Sequence, residues 1–68
     1  MSLGTNVKRM LKEKGVTAIE LADYCSVDQS MISKIVKDVK TPSIGLLVCM
    51  ADFFGCTVDD LIKGRDIA

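Results

Sequence analysis

Sixty-eight residues, 49% of them hydrophobic, make one small domain near the lower limit for a self-supporting core, too apolar to be a disordered tail. Nine Lys+Arg balance nine Asp+Glu with no His, so the formal net charge is zero and catalysis by histidine is excluded. No apolar run reaches the ~18–20 residues of a membrane span, and no cationic, apolar leader is visible.

In chain order, residues 1–4 read as a disordered or appended N-terminal segment outside the domain. Thr5 to Lys14 reads as a first helix, with Val7, Met10 and Leu11 on one face, Lys8, Arg9 and Lys12 on the wet side, and Gly15 as its stop. Thr17-Ala-Ile-Glu20 is a capping box that opens a second helix with Ile19, Leu21, Ala22 and Cys25 as apolar positions. Tyr24 reads as a partly buried filler with its hydroxyl in water. Ser26-Val27 makes a turn, and Asp28 caps a third helix through about Lys37 that buries Ile32, Ile35 and Val36.

Asp38 to Pro42 is the longest unpatterned segment, and Pro42 forbids a continuous helix through it. Ser43 caps a fourth helix to Phe54, ended by Gly55, with Ile44, Leu47, Ala51 and Phe54 as its core arc. Thr57-Val-Asp-Asp60 caps a fifth, with Gly64 at its end, and residues 65–68 form a tail. The fold class is therefore all-α: five short helices in one domain over 5–64, joined by short connections.

Cys25, Cys49 and Cys56 are odd in number, show no C-x-x-C spacing and sit among apolar residues. They read as small hydrophobes in a reducing, cytoplasmic compartment rather than as a disulfide frame or a zinc site. Charge is divided along the chain. Residues 1–40 carry seven Lys/Arg against five Asp/Glu, and residues 41–68 carry two against four. The first part is mildly basic and the second mildly acidic, which matters because phosphate attraction depends on where charge lies rather than on its sum.

The second and third helices are joined by too few residues to lie antiparallel, and Ala22 allows a close crossing, so they form a helix-turn-helix arrangement. The second member of such a pair can enter the ~12 Å major groove. Here the chain resembles the Cro/repressor, Xre-like (lambda-repressor-like) helix-turn-helix domains over about residues 5–64. The likeness is carried by "EKGVT", "IELADYCSVDQSMISKI", "TPSIGLLVCMADFFG" and "CTVDDLIKG" in order and spacing. The resemblance implies a five-helix DNA-binding transcriptional regulator, a repressor in the first instance, acting as a homodimer on two half-sites of double-stranded DNA. It places base reading at Gln29, Ser30, Ser33 and Lys34. It places phosphate contact at Thr17 and Ala18, at Lys37, and in the loop with Lys40, Thr41 and Ser43. Lys37 and Lys40 are equally suited to neutralising the carboxyl end of the third helix.

Three departures from the family pattern stand out. Ala18 replaces a common Gln that grips phosphate. Ser26 replaces a turn Gly and is expected at positive φ. Leu11 and Val36 stand where many members bury an Arg–Glu ion pair; losing one partner of such a pair costs roughly 3–5 kcal/mol, whereas replacing both with packed hydrophobes is tolerated, so the two are expected to touch. The family usually has polar or small residues at Leu46, Cys49 and Phe53, which here form a second apolar arc. That arc is either a thicker core or a partner surface; we read it as the homodimer interface, with Leu61, Ile62 and Ile67 contributing.

As an enzyme the chain lacks a phosphate loop and any nucleophile–base spacing, and Asp59-Asp60 is explained by helix capping. No cofactor, metal or small-molecule ligand is implied. The alternative to the DNA reader is a helical protein-interaction module, such as an antirepressor or a component docking onto another regulator. Ala18 and the acidic second half favour the module, and the polar face of the third helix favours the reader.

Overall fold

The computed structural model describes residues 3–63, which form five helices and no strand: α1 (Leu3–Lys14), α2 (Ala18–Cys25), α3 (Gln29–Val36), α4 (Ile44–Phe54) and α5 (Val58–Lys63). Local chemistry sets most boundaries. Thr17 Oγ1 accepts from the Glu20 N–H at 3.2 Å, Ser43 Oγ from Leu46 at 3.2 Å, and Thr57 Oγ1 from Asp60 at 3.0 Å, so three helices start on a hydroxyl cap. Gly15 and Gly55 follow α1 and α4 at φ 67° and 70°. Gly64, the expected end of α5, and the tail from residue 65 lie outside the described residues.

One boundary and one capping bond differ from the sequence reading. α1 begins at Leu3, so residues 3 and 4 belong to the helix rather than to a segment outside the domain. The reason is tertiary: Gly4 is buried against the end of α3, where a Cβ would lie 2.3 Å from the Val36 carbonyl oxygen and 2.6 Å from that of Ile35. Asp28 occupies the N-cap of α3 but makes no side-chain capping bond, because its carboxylate instead accepts from the Ser30 hydroxyl at 2.8 Å.

α1 packs against α3 and α5, α2 against α3 and α4, and α4 against α5. Val7, Leu21, Ile32, Met50 and Leu61 are fully buried at the centre. Leu11 is buried in the same cluster, and Val36 is half-buried against it. Asn6 is completely buried, a position no periodicity flagged. Its amide Nδ2 donates to the carbonyls of Leu61 at 3.0 Å and Ile62 at 3.1 Å, tying α1 to the last turn of α5. Its Oδ1 is buried without a hydrogen-bond partner.

Three side chains given core or filler roles stand elsewhere. Ile44 is 75% exposed because it opens α4 ahead of the packed turns, and Met50 fills the core instead. Ile19 is 54% exposed, and Leu21 and Ala22 supply the buried positions of α2. Tyr24 is half exposed, and its hydroxyl donates to Asp52 on α4 rather than to water alone. None of the described helices is long and apolar enough to cross a membrane.

Candidate nucleic-acid interface

The helix pair is built on a left-handed residue. Ser26 sits at φ 56°, as the missing turn glycine requires, and lets the Ser26 and Val27 amides close the carbonyls of Asp23 and Ala22 at 3.2 and 3.0 Å. α2 is thus terminated abruptly, and α3 starts three residues later across the buried Ala22.

Successive residues of α3 turn by about 100°, so its positions sort into two arcs. Ile32 and Ile35 are buried, with Met31 and Val36 half-buried beside them. Gln29, Ser30 and Lys34 are exposed and Ser33 is half-buried, and these four lie together within an arc of about 140°. The hydrophilic flank therefore points out of the bundle. Ser30 is not wholly free there: its proton is given to Asp28, whose exposed carboxylate joins this face as an acceptor the sequence reading had assigned to capping.

Most of the residues assigned to phosphate are exposed. Lys37, Lys40, Thr41 and Ser43 are all exposed, while Pro42 between them is buried and anchors the loop. Thr17 is exposed and Ala18 half-buried at the start of α2. Thr17 and Ser43 use oxygen lone pairs as helix caps, which leaves each hydroxyl proton available to an outside acceptor. The first amides of α2, at Ala18 and Ile19, have no intrahelical acceptor and suit an anion. On α1, the half-buried Arg9, expected on the wet side, approaches Glu13 only to 3.9 Å, and its Nε is buried without a hydrogen-bond partner.

The arc expected to bind a second copy is largely occupied within the chain. Phe53 is half-buried, with its ring 5.2 Å from Tyr24 at 60° and 5.3 Å from Phe54. Leu46 is half-buried against the core, and Cys49 lies beside Cys25. Desolvation first, and the neighbouring Cys49 thiol second, push the Cys25 thiol up to about 12. Burial and then the Asp60 carboxylate raise Cys56, and the hydrogen bond to Asp52 raises Tyr24. Leu61 is fully buried and offers nothing to a partner, and Ile67 lies outside the described residues. The open apolar side chains of α4 and α5 are instead Ile44, Val48 at 53% and Ile62 at 46% exposure. Among the described residues no three His, Cys, Asp or Glu are grouped to hold a metal ion.

A family model described as helix-turn-helix matches residues 7–61. The chain is 27% identical over 67 residues to the HTH-type transcriptional activator BcrR of Enterococcus faecalis, covering 98% of this chain and 33% of that protein. It is also 27% identical over 62 residues to the immunity repressor protein of Bacillus phage phi105, covering 91% of this chain and 43% of that one. The chain thus spans less than half the length of either curated relative. Among solved structures, the master regulator for biofilm formation SinR in complex with DNA superposes with a TM-score of 0.80 at 32% identity, covering 87% of this chain and 95% of that chain; SinR is a protein of Bacillus subtilis.

Proposed function

The chain belongs to the helix-turn-helix family, and from that premise we propose that it is a DNA-binding transcription regulator that lays α3 in the major groove of an operator. The observation that carries this reading is the exposure of Gln29, Ser30 and Lys34 on one flank of α3 while Ile32 and Ile35 on the other are buried. Gln29 suits the N6/N7 edge of adenine, and Lys34 the O6/N7 acceptors of guanine. Ser30 and Ser33 add hydroxyl contacts between them. Thr17 and Ala18 at the start of α2, with Lys37, Lys40, Thr41 and Ser43, hold the sugar-phosphate backbone and set the register.

Zero net charge makes non-specific binding by a monomer weak, so two copies, each presenting one α3, supply the affinity. They meet through the part of the Leu46–Cys49–Phe53 arc that α2 leaves uncovered. The regulator acts in the cytoplasm and represses by covering its operator; a reporter placed behind that operator, rising when the protein is removed, checks the direction.

Selection from random duplexes tests the reading. Gln29→Ala should relax preference at one base pair and weaken operator binding by about 1–3 kcal/mol. Lys40→Ala should weaken all duplexes alike and lower the salt slope by roughly one unit. If no duplex is enriched, or if binding ignores salt, the reader is wrong. A second reading, a protein-docking module, is favoured by the exposed Ile44 and Val48. Val48→Glu would then abolish association with a protein partner while leaving the chain without DNA affinity to lose.

A further inference from the structure

Asp38 stands between Lys37 and Lys40, a carboxylate in a loop assigned to phosphate. Its backbone is at φ 61°, in the left-handed region. There its N–H donates to Ile35 O at 3.0 Å and the Val39 N–H to Lys34 O at 2.9 Å, so the end of α3 is closed by backbone alone. The side chain is released for another task. Its Oδ1 accepts from the Gly4 N–H at 3.0 Å, across 34 residues of sequence. That amide is one of the first-turn donors of α1 without an intrahelical acceptor, at the positive end of the helix dipole. The contact is possible because Gly4 lets the backbone of α1 rest on the Ile35 and Val36 carbonyls, where any Cβ would collide.

We infer that Asp38 is a positioning residue for DNA binding: its bond to Gly4 fixes the direction in which Lys37 and Lys40 leave α3, and turns its own charge toward α1. This rests on the reading of residues 37–43 as the phosphate-contacting segment. The sequence alone argues for the opposite effect. Deleting an acid beside two lysines should strengthen attraction to phosphate. Deleting a latch that aims those lysines should weaken it.

Asp38→Gly keeps the left-handed backbone without strain and removes both charge and latch. Asp38→Asn removes the charge but keeps an Oδ1 acceptor. Binding is measured as a function of salt to a duplex recovered from a random pool by the wild-type chain, with both variants shown by melting to be folded at the assay temperature. Asp38→Gly should bind about tenfold more weakly, the worth of a charge-assisted hydrogen bond, with a shallower salt slope. Asp38→Asn should bind at least as tightly as wild type. On a Lys37→Ala/Lys40→Ala background, Asp38→Gly should cost nothing further, which a merely structural role would not produce.

A second measurement needs no substitution: by linkage, adding the duplex should slow hydrogen exchange at the wild-type Gly4 amide. Equal or tighter binding by Asp38→Gly, an equal loss in Asp38→Asn, a further loss on the lysine-free background, or unaltered Gly4 exchange would each overturn the positioning role. If the wild-type chain binds no duplex at all, the DNA-reading proposal falls and this one with it; if only the Asp38 results fail, the reader stands.

Discussion

Two interhelical regions of the bundle differ in character. On the α1 side, contact is made at backbone level: Gly4 lies against carbonyl oxygens, and Asn6, with no exposure at all, bonds two carbonyls of α5. Between α2 and α4, contact is made by half-exposed side chains: the Tyr24 and Phe53 rings, the Tyr24–Asp52 hydrogen bond and the neighbouring Cys25 and Cys49 thiols. The first region admits almost no substitution, because a backbone atom cannot step aside. The second can repack, because rings and thiols at a surface have room to move. The bundle is thus fixed firmly where α1 meets α3 and α5, and more adaptably where α2 meets α4.

The sharpest way to break this contrast is a single methyl group. Gly4→Ala must push α1 off the end of α3 and should cost about 2–3 kcal/mol in denaturant unfolding. The same change at Gly45, whose added Cβ meets nothing within 4 Å, should be neutral or stabilising by up to about 1 kcal/mol through helix propensity. Similar losses at both glycines would abolish the distinction between the two regions. Next in size is Asn6→Ala. It strips two hydrogen bonds from the end of α5 but also removes the unpartnered Oδ1, so a net loss of about 1–2 kcal/mol is expected.

The gentlest test uses pH and falls on the adaptable side, since Gly4 and Asn6 carry no titrating side chain. Folding raises the Cys25 thiol from its ordinary 9.0 to about 12, so above pH 9 the unfolded chain releases a proton that the folded chain keeps. Proton release then favours the unfolded state, and stability should be intact below pH 9 and decline as pH climbs from 9 toward 12. Tyr24, raised chiefly by its bond to Asp52, acts in the same direction. Denaturant midpoints of wild type and Cys25→Ala across this range should diverge, with the variant declining less; parallel curves would remove Cys25 from the account.

The residues that the sequence placed well are those whose partners are near in the chain. The Thr17, Ser43 and Thr57 caps each close on an amide three residues ahead, and Ser26 takes positive φ to close bonds with the turn just before it. The hydrophilic arc of α3 follows from helical spacing within eight residues. The start of α1 and the roles of Asn6, Tyr24 and Asp38 did not follow, since their partners lie 28 to 56 residues away. Ile44 misled for a related reason: its spacing matches the core arc, but no neighbouring helix covers the first turn of α4. For the Leu46–Cys49–Phe53 arc, periodicity identified an apolar stripe without saying that α2 already covers part of it.

By itself, then, the sequence determined where α2, α4 and α5 begin, where α1 and α4 stop, and which flank of α3 stays polar, because capping and periodicity act over three or four residues. Only the tertiary structure decided that Gly4 must be glycine, that Asn6 is buried, and that the exposed Asp38 bonds the start of α1. Those outcomes depend on which distant backbone groups arrive unpaired at each helix end, and no local pattern encodes that meeting.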